Sequence, residues 1–70
     1  MSINRIIGQN IKSDRKGTGL TQEKYAEMVG CSQKSVQHYE VGRVTPSVEL
    51  LHNIAKKSGK TVDWFLNEHE

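Results

Sequence analysis

Between Thr21 and Glu40 the chain carries Ala26, Gly30 and Val36, an alanine and a glycine separated by three residues and a valine separated from the glycine by five. Two short helices that cross steeply with their backbones close together demand that arrangement. Ala26 stands where the second helix crosses the first, so a larger side chain would push the pair apart. Gly30 supplies the left-handed turn residue between them, a conformation that side chains with a Cβ resist. Tyr25, Val29, Cys31, Val36 and Tyr39 fill the inner side. Thr21 is the N-cap of the first helix, with Glu23 in its first turn, where a negative charge suits the helix dipole. Ser32 caps the second, which runs to Glu40. Apart from Val36 and Tyr39, that second helix is made of Gln33, Lys34, Ser35, Gln37 and His38, all polar and able to hydrogen-bond. A helix so short gains little from its own propensity. Its neighbours must hold it, with a polar face turned outward.

The flanking segments read as three more helices. Ile3, Ile6, Ile7 and Ile11 fall on one face of an amphipathic helix, capped by Ser2 and ended by Gly17-Thr18-Gly19; most of its length is read as surface. Gly42-Arg43-Val44-Thr45-Pro46 is a loop. Ser47 caps a fourth helix whose core face is expected to be Val48, Leu51, Ile54 and Ala55, closed by Ser58-Gly59. Thr61 caps a short fifth helix holding Val62, Trp64, Phe65 and Leu66. Of Trp64, Phe65 and Leu66, two are expected in the core and one at a dimer contact. No strand-like alternation, internal repeat or low-complexity tract occurs. The fold class is therefore all-α, five helices joined by tight turns.

Seventy residues make one domain, 1–70, which buries only about 60% of the surface its unfolded chain exposes. Ten Lys and Arg against eight Asp and Glu give a net charge of +2, mildly basic and not by itself the mark of a nucleic-acid binder. Residues 1–34 hold six basic and three acidic side chains, and residues 35–70 hold four and five. The surplus positive charge lies in the first half. One cysteine rules out an intramolecular disulfide framework and suits a reducing compartment. Met1–Asn10 shows no secretory signal, and no apolar run approaches the roughly 18 residues of a membrane span. A soluble, cytoplasmic protein without membrane association is expected.

The stretches Leu20-Thr21-Gln22-Glu23 with Ala26 and Gly30, Ser32 through Tyr39-Glu40, Gly42-Arg43, Pro46-Ser47 and Thr61-Val62-Asp63-Trp64-Phe65-Leu66 strongly resemble the phage-repressor and Cro family of helix-turn-helix proteins, also called the XRE family. The resemblance spans roughly Ile3 to Asn67. It implies a five-helix bundle of the lambda-repressor-like type, with the motif at 21–40 and a recognition helix at 32–40. It also implies binding of double-stranded DNA, usually as a homodimer. By position, Gln22 matches a glutamine that hydrogen-bonds a phosphate, and Arg43 matches a basic residue that meets the backbone. Gln33 and Lys34 open the helix that reads base edges, glutamine suiting adenine and lysine suiting guanine. His38 lies one turn on, and Ser35 and Gln37 flank the stripe. Arg15 and Glu40 match a structural ion pair tying helix 1 to the end of helix 3. Val41 departs from the pattern, standing where Asn, Arg or Lys is frequent, and Cys31 replaces a more usual apolar or Thr residue.

Cys31, His38, His52 and His69 show no zinc-ligand spacing. No paired carboxylates, activated nucleophile or phosphate loop occurs either, so no catalytic residue, metal or cofactor is expected. Lys56, Lys57 and Lys60 read as a solvated face near a helix C-terminus. The expected function is a sequence-specific, nucleoid-associated transcriptional regulator. It would repress from a near-palindromic operator as a homodimer through the major groove. The alternative is a protein-binding regulator, an antitoxin or adaptor on the same scaffold, its partner unknown.

Overall fold

The computed structural model describes residues 2–69. Among these, five helices and no strands form: α1 Ile3–Thr18, α2 Gln22–Val29, α3 Gln33–Glu40, α4 Val48–Ser58 and α5 Val62–Leu66. Each begins at a hydroxyl residue in extended conformation. Ser2, Thr21, Ser32, Ser47 and Thr61 each accept from the backbone N–H three positions on, at 3.4, 3.1, 3.1, 3.1 and 3.1 Å, which satisfies one of the donors a helix start leaves unpaired. The same five residues carry this chemistry in the sequence, so the element starts follow from local rules.

Helix α1 packs on α3 and α5, α2 packs on α3 and α4, and α4 packs on α5. Ile7, Ile11, Tyr25, Ala26, Val29, Val36, Tyr39, Leu51, Ile54, Ala55 and Phe65 make one core, with Trp64 half-buried against it. Leu66 is exposed. Helix α1 turns its face at residues 7, 8, 10, 11 and 14 inward against α3 and α5, while its other side stays at the surface. Val48 departs from expectation. It lies in line with Leu51 and Ala55 around the α4 axis, yet it is 85% exposed. Periodicity gives direction around an axis, not how far along it the core extends, and Val48 is the first residue of α4. Ile3, first in α1, is exposed for the same reason.

Gly8 sets the spacing between α1 and α3. A Cβ placed there would lie 2.0 Å from the Tyr39 carbonyl oxygen and 3.3 Å from that of Glu40. The backbones approach so closely that only hydrogen fits between them. At the other side of α1, Asn10 is buried, and its Nδ2 donates to the carbonyls of Phe65 and Asn67 at 2.8 Å each and lies 3.3 Å from that of Trp64. A side-chain amide thereby takes up carbonyls that the end of a five-residue helix leaves without partners.

Asp14 is a buried charge of the fold. Tyr25 Oη donates to its Oδ2 at 2.7 Å, Ser58 Oγ lies 2.6 Å from the same oxygen, and Lys60 Nζ donates to Oδ1 at 2.7 Å. Ser58 Oγ is also 2.7 Å from the Ile54 carbonyl, so its one hydrogen is shared between two acceptors. Lys60 thus belongs to a buried network rather than to the solvated face expected of it; Lys56 and Lys57 are exposed. Burial on its own raises the Asp14 pKa, but the hydrogen bonds from Lys60, Ser58 and Tyr25 outweigh it and hold the carboxyl below the ordinary aspartate value. Because the folded value is the lower one, this group's stabilisation is complete above the unfolded pKa of about 3.9 and is lost as pH falls through the folded value. The thermal midpoint should therefore drop below about pH 4. Circular-dichroism melts at stepped pH should give a shallower drop for Asp14→Asn; parallel curves would contradict this role for Asp14.

Candidate nucleic-acid interface

The site is built on α2 and α3. At the end of α2 the N–H groups of Gly30 and Cys31 both donate to the Ala26 carbonyl, at 2.9 and 3.0 Å, with Gly30 at φ 88°. The chain then reaches the Ser32 cap and starts α3 at once. Ala26 and Val36 are buried on facing sides of this turn. Cys31 is half-buried against the core, and burial pushes its thiol pKa up. That disfavours the thiolate a nucleophile or metal ligand requires.

Val36 and Tyr39 turn α3 inward, and its remaining positions divide by exposure. Gln33, Lys34 and Gln37 are exposed, and Ser35 and His38 are partly so. Gln33 with Gln37, and Lys34 with His38, stand four apart and are neighbours on the helix surface. These four side chains make one outward ridge of donors and acceptors. Ser35 lies nearer the cap: its N–H donates to Ser32 Oγ at 3.1 Å, and Ser32 Oγ donates to Ser35 Oγ at 2.9 Å.

Arg43 is anchored by the ending of α3. The Gly42 N–H donates to the Tyr39 carbonyl and the Arg43 N–H to that of His38, each at 3.0 Å, the paired closure that commonly ends helices. The exposed Arg43 side chain thus follows directly behind the ridge. Val41, at the same place, is 69% exposed and offers no hydrogen bond.

Arg15 and Glu40 form a two-pronged ion pair, with Arg15 Nε to Glu40 Oε2 at 2.6 Å and Nη2 to Oε1 at 3.1 Å. The Glu40 bond is the main reason the guanidinium pKa is raised. Gln22, the first residue of α2, is half-buried and donates its Nε2 to Glu40 Oε1 at 3.1 Å. Gln22 and Glu40, which carry separate roles in the sequence, touch each other in the fold. Gly8, Asn10 and Asp14 have no role expected from the sequence. The signal for the last two was present, since residues 7, 10, 11 and 14 share one helix face and a polar side chain on that stripe needs buried partners.

Among the described residues no group of three or more His, Cys, Asp or Glu side chains is gathered as a metal site would require. No helix there is long and apolar enough to cross a membrane.

Residues 11–65 match the model of the helix-turn-helix family HTH_3. The chain is 46% identical over 52 residues to the antitoxin PezA of Streptococcus pneumoniae, covering 74% of this chain and 33% of that protein. It is 44% identical over 50 residues to an HTH-type transcriptional regulator of Methanothermobacter thermautotrophicus, covering 71% of this chain and 72% of that one. The chain thus spans only a third of the antitoxin's length. Among solved structures, the clp gene regulator ClgR of Corynebacterium glutamicum superposes with a TM-score of 0.85 at 27% identity, over 94% of this chain and 70% of that one.

Proposed function

The chain belongs to the XRE-type helix-turn-helix family of transcriptional regulators, and from that premise we propose that it binds duplex DNA in a sequence-dependent manner through α3. The observation that carries this reading is the division of α3 into a buried edge, Val36 and Tyr39, and an outward ridge of Gln33, Lys34, Gln37 and His38. A rigid helix with several base-compatible donors and acceptors on one side fits the major groove. In this reading Gln33, Lys34 and His38 specify sequence, with Ser35 and Gln37 assisting, while Gln22 and Arg43 meet phosphates. A homodimer would place two such ridges about 34 Å apart on a near-palindromic operator, and occupancy of that operator would repress. That role belongs to the cytoplasm, on the nucleoid.

The proposal separates two kinds of loss. Lys34→Ala should cost about 1–3 kcal/mol at particular base pairs and relax preference there. Gln22→Ala should weaken all sequences alike, and because a neutral amide displaces no counterion it should leave the salt dependence unchanged. Selection of bound fragments from a random duplex pool, followed by anisotropy titrations of both variants, measures this. Equal losses on selected and random duplexes for both variants would refute the assignment.

A second reading has one specific observation behind it, the 46% identity to an antitoxin. As a protein-binding regulator the chain would engage its partner through an apolar surface. Such binding should change little between low and moderate salt, whereas DNA binding should weaken steeply.

A further inference from the structure

Glu40 ends α3 with a carboxylate side chain that is only 4% exposed. Such a charge is tolerated only when hydrogen-bonded on every side, and three N–H groups from two other helices converge on it. The two from Arg15 complete an ion pair. The guanidinium is itself fixed, because its Nη1 donates to the Leu20 carbonyl at 3.0 Å, in the turn that leads into α2. The third donor, Gln22 Nε2, is not needed to neutralise anything. Its effect falls on Gln22, a long side chain that ordinarily keeps much rotamer freedom. A primary amide has two N–H donors. With one committed to Glu40, the nitrogen is held in place and turned so that its second donor remains for another acceptor.

We propose that Glu40 is a positioning residue: braced by Arg15, its carboxylate sets the Gln22 amide so that the second Nε2–H donates to a DNA phosphate. This rests on the duplex-binding reading above. It adds that the end of α3 and the first turn of α2 are coupled through one buried carboxylate, so that base-edge and phosphate contacts keep a fixed register.

The sign of a mutational effect tests the proposal. On charge alone, deleting a carboxylate near phosphates strengthens binding. Deleting a positioning group weakens it. The probe is a fluorescein-labelled mixed-sequence duplex at low salt, titrated with the full chain and read by anisotropy. Glu40→Ala and Gln22→Ala are each expected to weaken binding about threefold to tenfold. The double variant should bind no more weakly than Gln22→Ala alone. Arg15→Met/Glu40→Leu replaces the ion pair by apolar side chains at unchanged net charge, a change that commonly preserves folding, and it should show the same loss. In the wild type, the two Gln22 side-chain amide protons should be well separated in the nitrogen–proton NMR spectrum and slow to exchange. They should move toward solvent-averaged values in the Glu40 variants.

Folded Glu40 variants that bind as tightly as the wild type or tighter overturn the proposal. So do losses that multiply with that of Gln22→Ala, or a solvent-averaged Gln22 amide in the wild type, which decides the matter even if neither variant folds. Failure of the wild type itself to bind any duplex is a different result. It sinks the duplex-binding reading, while the amide spectrum still reports whether Glu40 holds Gln22.

Discussion

Gly8→Ala is expected to destabilise the protein by about 3 kcal/mol or more, while the same substitution at Gly17, in the same helix, is expected to stabilise it by up to about 1 kcal/mol. Helix propensity favours alanine at both positions, so it cannot produce opposite signs. The difference is what the added methyl meets. At Gly17 nothing lies within 4 Å, whereas at Gly8 the carbon would sit 2.0 Å from the Tyr39 carbonyl oxygen. A backbone atom cannot rotate aside as a side chain can, so α1 and α3 would have to separate. That would loosen the packing of Ile7, Ile11, Val36 and Tyr39 together. A domain of this size loses roughly 4–8 °C of melting temperature per kcal/mol, so thermal melts of the two variants should lie on opposite sides of the wild type. A Gly8→Ala midpoint equal to that of Gly17→Ala would mean that α1 and α3 leave room for a methyl group at Gly8.

Asp14→Ala should cost about 3 kcal/mol, more than Tyr25→Phe, which removes one of the donors and should cost about 1.5 kcal/mol. The loss has two parts. Tyr25 is fully buried, so its hydroxyl would lose its acceptor with no water to replace it. Lys60 would lose its counter-charge, but its side chain is a third exposed and can turn to solvent, so its share is small. Denaturant titrations of Asp14→Ala, Tyr25→Phe and the double variant check this. The double variant should be little worse than Asp14→Ala alone, since both act on the same hydrogen bond. Additive losses would mean that the two groups stabilise the fold separately.

These residues also mark the limit of what the sequence discloses. Helix starts are governed by one side chain and the N–H three positions later, and Ser2, Thr21, Ser32, Ser47 and Thr61 can be read without knowing anything distant. The steep crossing of α2 and α3 is nearly as local, because Ala26, Gly30 and Val36 act within one short stretch. The outward set on α3 follows once Val36 and Tyr39 are assigned inward. Gly8, by contrast, looks like a weak point in a helix until the carbonyl of a residue 31 positions away is brought against it. Asn10 and Asp14 interrupt an apolar stripe, and only the placement of α5 and Lys60 supplies their partners. Val48 errs in the other direction. Its spacing is right and its position along the axis is wrong, since a repeat of 3.6 carries no information about where a core stops.

The two-sided build of α3 has an evolutionary consequence. What anchors this cylinder is Val36, Tyr39 and the carboxylate behind them, while positions 33, 34 and 37 contribute almost nothing to cohesion. Lineages descended from such a chain can therefore exchange those outward letters freely without first having to repair the scaffold.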